Sequence, residues 1–329
     1  MGEMRPLEKR VWITWETQRR SIELAKKLGC ELFVIESKGI LRYPKCIIRT
    51  LSVLRSTKPD IVFVQNPSMI LATVACIYRS LKNIRVVVDR HTTFRLNKKN
   101  RITPRLIIFK LLHYFTIRHA DVTIVTNDFL ANIVRRLKGR PFVLPDMIPR
   151  LLQTETVPLK GKHNILLISS FGGDEPIKEV IEAMKQINQE DAYLYITGNY
   201  KKLDELTYKE APSNVVFTGF LEEQEFINIL FSVDAVIVLT TADYTMLCGC
   251  YEAVSAGKPL ITSKKDVLRD YFKGAVFVDN SVKDICHAIR EVIRNVDLYK
   301  NRISTLRERL GSEWEERFVK LENQLTALP

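Results

Sequence analysis

Apolar and polar residues alternate along this chain with two periods. Short runs of consecutive apolar residues, the signature of strands buried on both faces, fall at 11–15, 31–35, 60–64, 85–89, 121–125 and 142–144. Between them apolar residues recur at helical spacing, at 17–28, 44–56, 69–81, 104–120 and 128–137. Gly29 and Gly139 stand where two of these helices end, and Pro104 opens another. The stretch 150–162 has no period and contains Pro158 and Gly161, so it reads as a linker. The alternation then restarts, with strands at 164–168, 192–196, 214–217, 235–239, 260–261 and 275–278. Helices are expected at 176–187, 203–208, 222–231, 247–256, 267–272, 282–296 and 301–325.

Strand–helix alternation of this kind predicts α/β architecture with parallel, doubly wound sheets. It runs twice, so two Rossmann-like domains are expected, at 1–155 and 156–329, facing each other across an interdomain cleft. Ligands of such sheets bind beyond the carboxyl ends of the strands. That rule selects Gln65-Asn66-Pro67, Asp89-Arg90-His91, Thr126-Asn127, the loop 169–175, Thr218-Gly219-Phe220 and the loop 240–249.

Composition narrows the class. Of 329 residues, 46% are apolar and 27% charged, as in a globular protein with real cores. No apolar run approaches the roughly 18–20 residues that span a bilayer, and the opening MGEMRPLEKRVWITW lacks a signal-peptide core, so a cytoplasmic protein is expected. The six cysteines have no metal or disulfide spacing and read as reduced packing residues. Charge is uneven. Residues 1–150 hold 29 Lys and Arg against 11 Asp and Glu, a net +18, whereas 151–329 hold 21 against 27, a net −6. The N-terminal half is the one that would meet an anionic partner, unless the surplus only keeps the protein soluble.

The stretch 240–263, TTADYTMLCGCYEAVSAGKPLITS, concentrates the candidate chemistry. A buried strand, a polar loop and a helix start follow one another, which aims free backbone N–H groups at an anion. The N–H groups from Met246 through Leu247 and Cys248 to Gly249 would hold a diphosphate, with Gly249 permitting close approach or, alternatively, helix packing. Glu252, one to two turns into the helix, would accept from the paired hydroxyls of a ribose. Cys248 and Cys250 side chains are expected to pack. The loop Ser169, Ser170, Gly172 and Gly173 suits either phosphate approach or a plain turn. Lys178 is either a charge for that phosphate or a solvated helix residue. His91, directly after a buried strand, suits hydrogen bonding to a hydroxyl, proton transfer or a structural role. Asp243 and Tyr244 stand in the same polar loop, where the Asp243 carboxylate would accept from a hydroxyl or serve the turn. The chain contains no Asp-x-Asp pair, so no metal-bridged diphosphate and no cofactor are expected.

Several segments carry a family likeness. Tyr251-Glu252-Ala253 followed by Gly257-Lys258-Pro259-Leu260-Ile261 is similar to the block E-A-x-x-x-G-x-P-V-I. Gly219-Phe220-Leu221 with Asp234-Ala235, the run VVDRHT at 87–92, Ala120-Asp121 with Thr126-Asn127, Leu144-Pro145-Asp146 and the segment 314–321 fit the same pattern. Over nearly its whole length the chain resembles a GT-B glycosyltransferase of the glycosyltransferase family 4 type. The resemblance implies a retaining, metal-independent hexosyltransferase that takes a nucleotide-sugar of the UDP or GDP type. Its N-terminal domain would bind the acceptor through Asn66, Asp89, Arg90 and Asn127. Its C-terminal domain would bind the donor through Gly219, Tyr251, Glu252 and the loops named above, with His91 and Asp243 as catalytic groups. A last helix at about 312–326 would cross back to the N-terminal domain. The chain departs from the family in three places. Tyr244 replaces the first of two glutamates eight positions apart, 169–176 reads SSFGGDEP without the usual Arg–Lys pair, and Trp15 to Arg20 replace a glycine-rich loop.

The segment 101–119 mixes Arg101, Arg105, Lys110 and Arg118 with apolar residues. It reads as a buried helix with basic ends or as a helix facing a membrane. Lys98, Lys99, Arg135, Arg136, Lys138 and Arg140 would add attraction to anionic lipid at the inner membrane face. The acceptor would then be a saccharide or a lipid-linked saccharide. Nucleic acid is not an expected partner, because no aromatics interleave the basic residues. Two rivals remain, a nucleotide-sugar epimerase of the same architecture and a binding subunit without catalysis. The first would act on the donor alone, and the second would gain no thermal stability from a nucleotide.

Overall fold

The computed structural model describes residues 8–66, 68–91 and 104–327. Pro67, Thr92, Lys98, Lys99 and Arg101, named above, lie outside them. The chain divides into two compact units, one running to Met147 and resuming at Trp314, the other spanning Ile148–Glu313.

The first unit strings together β1 (Arg10–Thr14), α1 (Arg19–Lys27), β2 (Glu31–Val34), α2 (Arg42–Thr57), β3 (Ile61–Asn66) and α3 (Met69–Leu81). It continues with β4 (Arg85–Arg90), α4 (Pro104–His119), β5 (Val122–Val125), α5 (Asp128–Arg136) and β6 (Pro141–Val143). The strands form one parallel sheet in the order β2-β1-β3-β4-β5-β6. Its apolar runs split by strand pleat. Val11, Ile13, Val62, Val64, Val86 and Val88 face a core roofed by α2 and α3. Trp12, Phe63, Val87 and Ile124 face the other way, against Leu24 of α1 and against Trp314, Phe318, Leu321 and Leu325. Trp12 and Phe63 stack at 5.5 Å, and truncating either to Ala would cost about 3–5 kcal/mol.

The second unit contains β7 (His163–Leu167), α6 (Ile177–Lys185), β8 (Ala192–Thr197), α7 (Glu205–Lys209), β9 (Val215–Gly219) and α8 (Glu223–Ser232). Then come β10 (Ala235–Val238), α9 (Cys248–Ser255), β11 (Leu260–Ser263), α10 (Asp266–Tyr271), β12 (Val276–Val278) and α11 (Val282–Arg294). The 31-residue α12 (Val296–Thr326) ends the described chain. The sheet is again parallel, ordered β12-β11-β10-β7-β8-β9, which is the 3-2-1-4-5-6 order of a dinucleotide-binding fold. Apolar clusters cover both of its faces.

Three details differ from the sequence reading. Trp15 stands beyond β1, where its indole N–H donates to the Thr50 hydroxyl at 3.0 Å. The expected break at 296–301 is absent, because only Asn295 leaves helical geometry. The stretch after Met147 is tied to the second unit. Asn228 Oδ1 accepts from the Thr154 N–H at 3.0 Å, and the Ser255 hydroxyl donates to the Pro149 carbonyl at 2.6 Å.

Strand order reverses between β1 and β3 in the first sheet and between β7 and β10 in the second. Those reversals open a crevice past the carboxyl ends of the strands, because the flanking loops leave in opposite directions.

Candidate functional site

At the second reversal, two loops and one helix start converge. The loop after β7 turns through Phe171, which holds a left-handed φ of 55° unusual for a bulky side chain. That turn directs the N–H groups of Ser170 and Gly172 to one point, forming an anion-binding nest. The carboxylate of Glu175 fills it. Glu175 accepts from the Ser170 N–H at 3.1 Å, the Gly172 N–H at 3.2 Å, the Ser169 hydroxyl at 2.6 Å and the Ser170 hydroxyl at 2.8 Å. Lys202 approaches the other side of the loop and donates to the Ser170 carbonyl at 2.8 Å. Gly198 allows the loop to sit so close to β8, because a Cβ there would lie 2.2 Å from the Ser169 carbonyl oxygen.

The loop after β10 is bound to the first. Asp174 accepts from the Thr240 hydroxyl at 2.7 Å, and its carbonyl accepts from the Thr241 N–H at 2.6 Å. Thr240, Ser263 and Asn280 close a hydrogen-bonded ring across the strand ends. The Thr240 N–H donates to Ser263 Oγ at 2.8 Å, Ser263 donates to Asn280 Oδ1 at 2.7 Å, and Asn280 Nδ2 donates to the Thr240 carbonyl at 3.0 Å. These bonds hold the loop in one arrangement before any ligand arrives.

The residues expected to bind the donor fall into three groups. Tyr244, Met246 and Leu247 are half-buried in the loop and lead to Cys248, the exposed first residue of α9. No side chain caps that helix. Glu252 is half-buried on its second turn. A second group serves packing. Gly249 is buried, and a Cβ on it would meet the two Val238 methyls at 3.1 Å and an Ile168 methyl at 3.2 Å. Tyr251 turns into the core and packs edge-on against Phe272 at 5.1 Å, because it lies on the face of α9 that also buries Cys250 and Val254. The Cys250 thiol is pushed up to about 12 by burial. A third group lies off the nest or is engaged elsewhere. Gly173 is exposed with open space around it. Gly219 ends the edge strand β9. Lys178 pairs with Asp204 at 2.8 Å on the surface, and Asp243 pairs with Lys265 at 2.8 Å.

At the first reversal, β3 and β4 end together, with Asn66 in register with Arg90 and Gln65 with Asp89. Gln65 is buried and links β1 to α1, accepting from the Thr14 hydroxyl and donating to the Gln18 side chain. Asp89 is fully buried and faces inward, where Arg20 donates to it from Nε at 3.0 Å and from Nη2 at 2.8 Å. Arg20 also reaches Asp146 at 2.6 Å and the Leu144 carbonyl at 3.0 Å. Despite the desolvation that burial imposes, the Arg20 charge holds the Asp89 carboxyl well below its usual range. Arg90 is buried too. It contacts His113 Nδ1 at 2.5 Å and donates to the Thr116 hydroxyl at 3.1 Å. Burial lowers the Arg90 guanidinium to about 9 and, helped by the Arg90 charge, the His113 imidazole to about 3. His113 is therefore neutral where Arg90 is charged. His91 keeps partial exposure, with Nδ1 3.6 Å from Asp89 Oδ2. Asn127 caps α5, accepting from the Leu130 N–H at 3.0 Å.

Arg20 and Gly198 escaped the sequence reading, and Asp174 and Glu175 fell in the selected loop 169–175 without an assigned role. Arg20 had one signal, its place on the inner stripe of α1 with Ser21, Leu24 and Ala25. Among the described residues no cluster of three or more His, Cys, Asp or Glu is placed to hold a metal, and no helix is long and apolar enough to cross a membrane.

Comparison with known proteins agrees with this arrangement. Residues 153–309 match the family model described as Glycosyl transferases group 1, and residues 11–154 match the one described as Glycosyltransferase Family 4. An uncharacterized glycosyltransferase of Methanosarcina acetivorans is 26% identical over 302 residues, covering 85% of this chain and 75% of its own length. A sucrose-phosphate synthase from Thermosynechococcus elongatus has the same fold, with a TM-score of 0.75 at 15% identity over 97% of this chain and 99% of that one. So has the Anabaena protein HepE in complex with UDP-glucose, with a TM-score of 0.70 at 11% identity over 97% of this chain and 100% of that one. The two family models adjoin and together account for nearly the whole chain, which is a glycosyltransferase of the GT-B, family 4-like group.

Proposed function

We propose that this glycosyltransferase moves a hexosyl group from a nucleoside diphosphate sugar to a hydroxyl of a saccharide or lipid-linked acceptor, with retention at the anomeric carbon and without a metal or other cofactor. The observation that supports the donor reading is the uncapped start of α9 at the β7–β10 reversal, with Glu252 one turn further on. Backbone N–H groups there would take the negative charge that develops as the bond between anomeric carbon and diphosphate oxygen breaks. Glu252 would accept from the ribose hydroxyls and set the register of the nucleotide. As the acceptor oxygen bonds to the anomeric carbon, its proton passes to the departing diphosphate. The first unit would bind the acceptor, with His91, just past β4, as the partly exposed group for a sugar hydroxyl. Retention and metal independence follow the family resemblance.

The acceptor's location is suggested by the helices on one face of the first sheet. α2, α3 and α4 contain no Asp or Glu. Their surface shows Ile48, Ile77, Leu81, Ile107, Ile108, Leu111 and Tyr114. Exposed Lys45, Arg49, Arg55, Lys110 and Arg118 stand on the same helices. Apolar side chains set among cations, on helices that carry no carboxylate of their own, complement an anionic bilayer at a cytoplasmic face. A peripheral enzyme docked there would work on an acceptor carried by lipid.

The test is a matrix of UDP- and GDP-hexoses against saccharide and lipid-linked acceptors, with EDTA in a parallel series. The expected product keeps the donor's anomeric configuration, as read by proton NMR coupling, and forms equally with EDTA. Inversion, or a rate restored only by a divalent cation, would refute the corresponding part. A donor epimerised without acceptor would replace transfer with epimerisation.

A further inference from the structure

The nest after β7 lies at the strand reversal that the donor reading assigns to a nucleotide. Building it has a cost, since Phe171 sits in the left-handed region at φ 55°. The result is two convergent N–H donors, Ser170 and Gly172, with two serine hydroxyls beside them. Such a cradle suits a tetrahedral or planar oxyanion. Its occupant is the chain's own Glu175, placed by the short turn that leads into α6. Glu175 is only half-buried, and no cation is within ion-pairing distance of it among the described residues. The neighbouring Asp174 is held by Thr240 and Thr241, so it cannot take Glu175's place. A phosphate entering the nest would therefore meet a carboxylate and must displace it, losing four hydrogen bonds before gaining its own.

We propose that Glu175 is a resident anion of the phosphate nest and gates that nest at the donor site. It keeps the nest closed to phosphate in the free enzyme, and its displacement is the step that separates weak from full nucleotide binding. The consequence for turnover is that the departing nucleoside diphosphate is expelled as Glu175 returns. The proposal rests on the donor reading above for its meaning, but the nest can be probed without a nucleotide.

The experiment measures binding of inorganic pyrophosphate and of UDP and GDP by calorimetry, for the wild type, Glu175→Gln and Glu175→Ala. Melting curves establish that each variant is folded. Removing the charge should tighten pyrophosphate and the preferred diphosphate by about tenfold or more, the scale of a few displaced charge-assisted bonds. In turnover assays the same variants should show a lower KM together with a lower kcat, because product leaves more slowly. Pyrophosphate affinity that is unchanged or weaker in both folded variants would overturn the proposal. Pyrophosphate gained without any nucleotide binding would uphold the nest and defeat the donor reading instead. Nucleotide bound equally by all three proteins would do the reverse.

Discussion

The Arg20 guanidinium grips the Asp89 carboxylate from two nitrogens, at 3.0 Å from Nε and 2.8 Å from Nη2, in the interior of the first unit. Both side chains are almost wholly out of water, and Arg20 spans on to Asp146 and the Leu144 carbonyl. One arginine thereby joins α1 to the ends of β4 and β6, directly beneath His91. Removing one partner leaves a buried charge without its counterion. Arg20→Ala should destabilise the first unit by about 3–5 kcal/mol, far more than an exposed arginine would. Urea unfolding followed by tryptophan fluorescence would measure it. A loss under about 1 kcal/mol would mean that water reaches the pair.

The same pair sets a dependence on pH. The folded-state pKa of Asp89 lies below its unfolded value. Its contribution is therefore present above the unfolded pKa, about 4 for an aspartate, and is lost as pH falls below that value. Stability should fall progressively as pH drops below about 4, with a slope that Asp89→Asn reduces. Parallel acid titrations of wild type and variant, at matched ionic strength, would settle the comparison. Equal slopes would place the acid sensitivity elsewhere.

Gly249 separates two explanations of the YEA–GKP block. A Cβ there would press on Val238 and Ile168 at 3.1–3.2 Å, closer than ordinary packing. Gly249→Ala should push α9 off the sheet and cost about 1–3 kcal/mol. Thermal melting without ligand is the measurement. An unchanged melting temperature with weakened nucleotide binding would mean that the glycine serves ligand approach instead.

Glu252→Ala should behave in the opposite way. Glu252 is half-buried and its truncation presses on no neighbour, so the apo melting temperature should move less than in Gly249→Ala. Nucleotide binding should weaken about 10- to 100-fold, the scale of hydrogen bonds to a charged acceptor. Thermal shifts with UDP and GDP would report both quantities. A shift that survives the substitution would remove Glu252 from the ribose site.

The fold was legible because strands buried on both faces read as unbroken apolar runs. Val11, Trp12 and Ile13 point to opposite faces, yet all are apolar. The two reversals follow from strand order, which periodicity does not encode. Arg20 was hidden because its partner lies 69 residues away, and a helical arginine ordinarily faces water. Glu175 was hidden because its role depends on the left-handed turn at Phe171, a conformation its residue type disfavours. Tyr251 shares a motif with Glu252 but lies on the buried face of α9. On an eight-residue helix, adjacent positions point about 100° apart, so Tyr251 is core where Glu252 is half-exposed.

The acid-free layer of α2, α3 and α4 makes a prediction that charge alone does not. A polybasic surface binds anionic lipid with about 1 kcal/mol per cation near the membrane, and salt screens that attraction. Buried apolar side chains add about 1.5–3 kcal/mol each and are insensitive to salt. Ile107 and Leu111 are one turn apart on α4 and both exposed, so together they would insert as a ridge. The double substitution of Ile107 and Leu111 to Ser leaves every cation in place. It should reduce co-sedimentation with vesicles containing phosphatidylglycerol by about tenfold or more, most clearly at high salt, where electrostatic attraction is weak. Charge-only docking predicts that the double variant binds as well as wild type at low salt and that neither binds at high salt. Wild-type protein that ignores anionic vesicles at low salt would remove the membrane from the acceptor reading altogether, and the exposed ridge would then belong to a protein contact.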